Sequence, residues 1–434
     1  MNRSRLLPVA TALVALGALS ACAAPATSTE PSSSEPVTIT FSSYSYGAQG
    51  TMGEGMQALL DAFADEHPEI TVEPQSVPTA DVLTKARTDV AAGSAPDVVQ
   101  LGYSKMAEAF ETLPVQSLEQ LAGDEWDGHV EGINEALVQT GENDGETAAL
   151  PFTVSVPALF YNADLFRAAG LDPERPPTTI DEVRAAAEAI VANGTNGAYF
   201  AIADASKSDY LTQSVINSAG GSVVSKSGDV AVDSPEAVEA LGAVQALVQD
   251  GLMPAVGVED ALANFSSGQL GMFVSSTAVA GNLAQAAEGA FELRSGGFPS
   301  FGASEARPTN SGAGLIVLST DPAVQRASWE FVKFLTSAEG YSIITEQIGY
   351  LPMRADLAED PAFLQEYFEN NDLLVPSLEQ LADVAPYLAF PGENANQAVV
   401  TLQDDAVEPI VLRGADPQST LEQVAERIRE QTGQ

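Results

Sequence analysis

The sequence predicts an α/β chain of two lobes, each a sheet flanked by helices, with a ligand crevice between them. Three observations predict it. Strand-like and helix-like segments alternate along most of the chain, the pattern left by crossover connections between neighbouring strands. The 434 residues are too many for one domain of about 150 residues. Hydrophobic residues make up 45% and charged residues 18%, the balance of a chain with a large core and not of a disordered one.

The N-terminal residues read as a leader. Arg3 and Arg5 form a short basic region, residues 6–19 are apolar, and Leu19-Ser20-Ala21-Cys22 follows directly. This is similar to a bacterial lipoprotein signal, cut before Cys22 so that its thiol carries lipid. The alternatives are an ordinary signal peptide cut near Ala21 or Ala23, or a short membrane anchor, although about 14 apolar residues do not span a bilayer. Cys22 is the one cysteine, which excludes an intramolecular disulfide and a cysteine zinc cluster. Residues 23–36 are rich in Pro, Ser and Thr and read as a disordered spacer.

The first lobe opens with strand-like alternation at Val37 to Phe41. A helix follows, with Met56, Leu59, Leu60 and Phe63 at i, i+3, i+4, i+7, then strands near Ile70 and Asp97. This spacing predicts a largely parallel sheet. Downstream, Thr179 and Glu182 form a capping box ahead of the stripe Val183, Ala186, Ala187, Ile190 and Val191. Ser234-Pro235, Asp321-Pro322 and Asp416-Pro417 start three more helices, each carrying an apolar stripe. Residues 271–276 and 314–319 are apolar enough for buried strands.

Sixty acidic against 18 basic residues give a net charge of −42. Removal of Arg3 and Arg5 with the leader takes the mature chain to −44. Such a surface repels phosphate backbones, which excludes nucleic-acid binding through a basic face. The two histidines, His67 at a helix end and His129 in an acidic loop-like stretch, read as structural, and no Gly-x-Ser-x-Gly elbow accompanies them. No zinc, EF-hand or nucleotide-binding motif appears, so neither metal nor cofactor is expected, although Asp404-Asp405 could hold calcium weakly. Sixty carboxylates produce close pairs by chance, so no glycosidase pair stands out.

Binding is what remains. Tyr44, Tyr46, Tyr103, Tyr210 and Tyr350 fall in predicted loops among Ser, Gly and Asn. Flat rings with a polar tip suit sugars, the face covering the C–H side of a pyranose while hydroxyls and backbone groups take its oxygens.

The strongest motif block is Leu150-Pro-Phe-Thr-Val-Ser-Val-Pro-Ala-Leu-Phe-Tyr161-Asn162-Ala-Asp164-Leu-Phe166, followed by Ala169-Gly170-Leu171-Asp172 and Pro176-Pro177-Thr-Thr-Ile-Asp-Glu182. With Gly93 to Val99, Phe265 to Met272 and Gly349 to Pro352, it resembles the family 1 extracellular solute-binding lipoproteins of ATP-binding-cassette sugar importers. Ile180, where the family usually has Trp, is read as core packing. Within the family the chain looks most like the glycerol-3-phosphate binding subgroup. The resemblance implies a periplasmic-binding-protein-like fold: a first lobe of 37–150 and 310–352, a second of 151–309 and 353–434, and hinge crossings near 151–155, 310–314 and 352–354. It implies ligand contacts at Tyr44, Tyr103, Ser155 (or Val154), Tyr210, Ser276, Thr277, Gly312 and Tyr350. Of these, Tyr44, Tyr103, Gly312 and Tyr350 would come from the first lobe or hinge, and Ser155, Tyr210 and Ser276 from the second. The subgroup's phosphate-binding arginine aligns with 387–397, which here reads YLAFPGENANQ without Arg or Lys.

The expected function is therefore a lipid-anchored, extracytoplasmic, monomeric binding protein. It captures a neutral mono- or oligosaccharide by hinge closure and delivers it to a permease and ATPase. The alternative is a glycerol-3-phosphate or glycerophosphodiester binder. Behind these stand a surface glycoside hydrolase and a sensing or adhesion lipoprotein.

Overall fold

The computed structural model describes residues 36–203 and 207–434. The leader, Cys22 and all but the last residue of the spacer lie outside the described residues. Among the described residues no helix is long and apolar enough to cross a membrane.

Two sheets organise the chain. The first has five strands in the order Ile70–Ser76, Val37–Ser43, Val98–Gly102, Ser311–Val317, Ala149–Ser155. The second has four, in the order Leu293–Gly296, Pro157–Asn162, Leu270–Ser276, Asn196–Phe200. The first three strands of the chain are mutually parallel, as their crossover helices require. The sheets as wholes are mixed, which corrects the largely parallel expectation. Ser311–Val317 returns from the other lobe and runs antiparallel to both its neighbours, and Leu270–Ser276 runs antiparallel to Pro157–Asn162.

The helices begin where their caps dictate. Ser234, Asp321 and Asp416 each accept a backbone N–H of the first turn, with proline as the first helical residue. The capping box differs in one bond. Thr179 Oγ1 accepts the Glu182 amide at 3.1 Å, but the Glu182 carboxylate reaches back to Thr178 N at 2.8 Å. Ile180 is buried. The acidic stretch around His129 is helical, not a loop: Trp126–Val130 is a short helix.

The crossings shift from the sequence boundaries. The strand through residue 150 runs on to Ser155, so the change of sheet comes at Val156. Ser155 accordingly ends a strand of the first sheet instead of belonging to the second lobe. The last passage comes later than 352–354. Asn134 N donates to Met353 O, Arg354 donates to the His129 and Glu131 carbonyls, and Phe363 shares a depression with His67 and Phe334. The chain reaches the second sheet where Ser295 Oγ donates to Leu373 O. The C-terminal helices Ala395–Leu402 and Pro417–Thr432 pack on each other, and the latter packs on Pro235–Gln249.

Candidate functional site

Both sheets present strand ends to one crevice. In the first, Ser43, Ser76, Gly102 and Ser155 are the last residues of strands running the same way, and Ser311 begins the antiparallel one. Tyr44, Tyr103, Ser155 and Gly312 therefore lie along one edge. Carboxyl ends of strands are where open α/β sheets bind ligands, because the loops there are free to carry polar groups. In the second sheet the parallel pair ends at Phe200 and Ser276, while Pro157 starts opposite Ser276.

A buried polar network shapes the turn that carries Tyr44. Ser43 Oγ donates to Gln100 Oε1 at 2.6 Å and accepts the amides of Ser45 and Tyr46 at 3.1 and 3.0 Å, while Gln100 Nε2 donates to Ser45 Oγ at 2.9 Å. Gln100 is wholly buried, so these bonds satisfy groups that would otherwise be costly to desolvate.

Three of the expected tyrosines converge on Thr153. The Tyr103 hydroxyl lies 3.4 Å from Thr153 O, and the Tyr44 and Tyr350 phenols both interact with the Thr153 side chain. Thr153 Oγ1 also accepts the Ala313 amide at 3.0 Å. Burial pushes the Tyr44 and Tyr103 phenols well above their ordinary range and that of Tyr350 up to about 12. All three are neutral hydrogen-bonding groups at physiological pH. Tyr350 follows Gly349, whose left-handed φ of 92° ends the Ala338–Ile348 helix, and Leu351 N ties the segment to Val154 O at 3.0 Å.

From the second lobe, Ser276 accepts the Ala278 amide at 3.1 Å and so caps the short turn Thr277–Val279. Thr277 is wholly buried. Its amide donates to Val156 O at 2.9 Å and its hydroxyl accepts the Val156 amide at 3.3 Å. Its polar groups hold the crossing in place. Tyr210 is the buried first residue of the helix Tyr210–Ser218, not a loop residue.

The two lobes meet around small cavities. One of about 200 Å³ is lined by Thr51, Glu346 and Gly349 on one side and Ala280, Tyr367 and Leu373 on the other. Another of about 100 Å³ joins Tyr103, Phe110 and Glu142 of the first lobe to Tyr387 and Ala389. Neither is lined by Lys or Arg.

The observation that decides the family is a match over residues 47–342 to the model described as bacterial extracellular solute-binding protein. The chain belongs to that family. The sn-glycerol-3-phosphate-binding periplasmic protein UgpB of Pectobacterium atrosepticum is 26% identical to this solute-binding protein over 404 residues, 88% of this chain and 89% of the relative. The solved structure of the cyclic alpha-maltosyl-1,6-maltose binding protein from Arthrobacter globiformis matches with a TM-score of 0.78 at 23% identity, covering 92% and 99% of the two chains. UgpB from Mycobacterium tuberculosis, in complex with glycerophosphocholine, matches with a TM-score of 0.77 at 21% identity, covering 91% and 98%. At such identities the structural likeness is one of fold, and the two-lobed α/β architecture is theirs.

The remaining sequence candidates have structural work in this solute-binding protein. His67 stacks on Phe63, and His129 Nε2 meets Thr336 Oγ1 at 2.7 Å. Asp404 pairs with Lys207 at 2.6 Å and Asp405 with Arg427 at 2.8 Å, so the suggested calcium pair faces cations. No cluster of three metal-ligating side chains occurs among the described residues. Sequence reasoning missed Gln100, Thr153, Asp209 and Tyr387. The one signal for the last two was position: Asp209 directly precedes Tyr210, and Tyr387 opens the segment that lacks the arginine.

Proposed function

We propose that this extracellular solute-binding protein captures a neutral mono- or oligosaccharide between its lobes and hands it to an ATP-binding-cassette permease, tethered to the outer face of the cell membrane through lipid on Cys22. The observation that carries the neutral ligand is the absence of Lys and Arg from the lining of both interlobe cavities, together with an uncharged cluster of Tyr44, Tyr103 and Tyr350 around Thr153. A phosphate desolvated there would lack the charge-assisted bonds that offset its burial. Tyrosine faces and hydroxyls suit a pyranose. The expected contacts are Tyr44, Tyr103, Ser155, Gly312 and Tyr350 from the first lobe and Tyr210 and Ser276 from the second. Ligand touching both lobes favours the closed state, which is the form that docks on the permease.

A second reading, glycerol-3-phosphate or a glycerophosphodiester, is favoured by the similarity to UgpB of Pectobacterium atrosepticum. Calorimetric titration with neutral sugars and with glycerol 3-phosphate separates the two. Mass spectrometry of the membrane-extracted chain tests the anchor: a diacylglycerol adduct on Cys22 is expected, and a chain cut elsewhere without lipid contradicts it.

A further inference from the structure

We infer that the second lobe carries a binding site of its own for a short zwitterionic peptide, whose carboxylate is held by Lys226 and Arg307 and whose ammonium group is held by Glu236 and Glu305. The site is a cavity of about 990 Å³, larger than either cavity between the lobes, and its lining comes only from residues 217–236, 304–307 and 385–388. It is separate from the crevice. Ala385, Pro386 and Leu388 line it, whereas Tyr387 and Ala389 line the cavity of about 100 Å³ shared with Tyr103, so one segment of chain divides the two spaces.

Its charges single it out. Among the described residues, every Lys and Arg except Arg175, Lys226 and Arg307 forms an ion pair or a side-chain hydrogen bond. With 60 acidic against 18 basic residues, a cation without a partner is the exception in this chain, and two of the three exceptions line this one cavity. Glu236 and Glu305 share the lining and form no ion pair among the described residues. The cavity thus holds unpaired charges of both signs. It has no aromatic residue in its lining, so the stacking surface that suits a pyranose is missing. A net anion is opposed by the field of so acidic a chain. A molecule with one charge of each sign is not, and it meets both pairs with charge-assisted hydrogen bonds.

The backbone that carries these groups is held by the fold itself. Val224 and Val230 pair across the turn that contains Lys226, and Ser225 N donates to Asp229 O at 2.8 Å. Gln434 clasps the same turn, its Oε1 accepting Val230 N at 2.9 Å and its Nε2 donating to Gly228 O at 2.7 Å. Arg307 N donates to Ser218 Oγ at 2.9 Å, and Glu236 lies in the first turn of the helix Pro235–Gln249. A frame ordered in this way lowers the cost of ordering the site on binding.

Calorimetric titration of the full chain with tri-alanine tests the site. Its N-acetylated form keeps only the carboxylate and its amidated form keeps only the ammonium group. Tri-alanine is expected to bind, and each blocked form to bind about tenfold or more weakly in comparison. Two double variants test the residues: Lys226→Gln with Arg307→Gln, and Glu236→Gln with Glu305→Gln. None of the four positions is buried, so both variants are expected to fold, which circular dichroism checks. Each is expected to weaken tri-alanine by about tenfold or more. Absence of tri-alanine binding at millimolar concentration overturns the inference. So does a blocked form that binds as tightly as tri-alanine, and so does binding that either folded double variant leaves unchanged.

Discussion

Gly312 lies so close to Thr153 that a Cβ placed on it would stand 2.0 Å from the Thr153 carbonyl oxygen. Its φ of 124° is one that side-chain-bearing residues rarely adopt. The two residues belong to the antiparallel pair at one edge of the first sheet. The register there slips between Ala313 and Gly314, so that Ala313 faces Thr153 and Gly314 faces Pro151. The bulge brings the Thr153 hydroxyl to the Ala313 amide and its carbonyl to Tyr103. Close backbone approach at Gly312 and convergence of the tyrosines are one feature.

Gly312→Ala is therefore expected to destabilise the chain by about 3 kcal/mol or more, from backbone strain plus displacement of the Thr153 strand. Urea unfolding followed by circular dichroism reads this as a lower midpoint. A midpoint within the error of the wild type would show that the strand pair relaxes freely.

His129 gives a pH signature. Burial, then the Arg354 and Lys333 charges, hold its imidazole down at about 4, while Glu125 opposes them. Thr336 Oγ1 donates to Val332 O at 2.8 Å, so in the His129–Thr336 bond the ring Nε2–H is the donor. The unfolded chain takes up the proton near pH 6.5 and the folded chain only near 4. Stability from this group is thus full above about pH 6.5, declines as pH falls to about 4 and stays level below that, for a total of about 1–3 kcal/mol. The difference in unfolding free energy between wild type and His129→Gln, measured from pH 7.5 to 3.5, should shrink across that window. With only two histidines in the sequence, an NMR titration of the ring protons checks the midpoint directly. A His129 midpoint near 6.5 would contradict the account.

Tyr103→Ala is expected to weaken neutral-sugar binding by about tenfold or more, since it removes an aromatic face from the meeting point of the lobes. Tyr103→Phe should retain most of the affinity, because the phenol's bond to Thr153 O is long at 3.4 Å. Calorimetry measures both. Equal affinities for wild type and Tyr103→Ala would place the ligand elsewhere.

Helices were legible in the sequence where local chemistry specifies them. The stripe of Met56, Leu59, Leu60 and Phe63 is buried in Thr51–Glu66, and Leu421, Val424, Ala425 and Ile428 are buried in Pro417–Thr432. Strand direction was not legible, because an apolar run such as 314–319 reads the same parallel or antiparallel. The last crossing was hidden for a related reason: Met353 and Arg354 stay on the first lobe through bonds to residues more than 200 positions away. Within the crevice, tyrosines announced themselves by type. Thr153 and Asp209 did not, since a threonine in an apolar strand and one aspartate among many acidic residues carry no signal until the fold sets them beside Tyr103 and Tyr387.

The most direct measurement of the central claim is a thermal-shift screen of the full chain against neutral mono- and oligosaccharides, polyols, glycerophosphodiesters and glycerol 3-phosphate. A ligand that binds only the folded chain and is present at about 100 times its Kd adds roughly 2.7 kcal/mol to stability, enough for a clear rise in melting temperature. The account predicts that rise with at least one neutral sugar and none with glycerol 3-phosphate. A rise with glycerol 3-phosphate and with no sugar would contradict it.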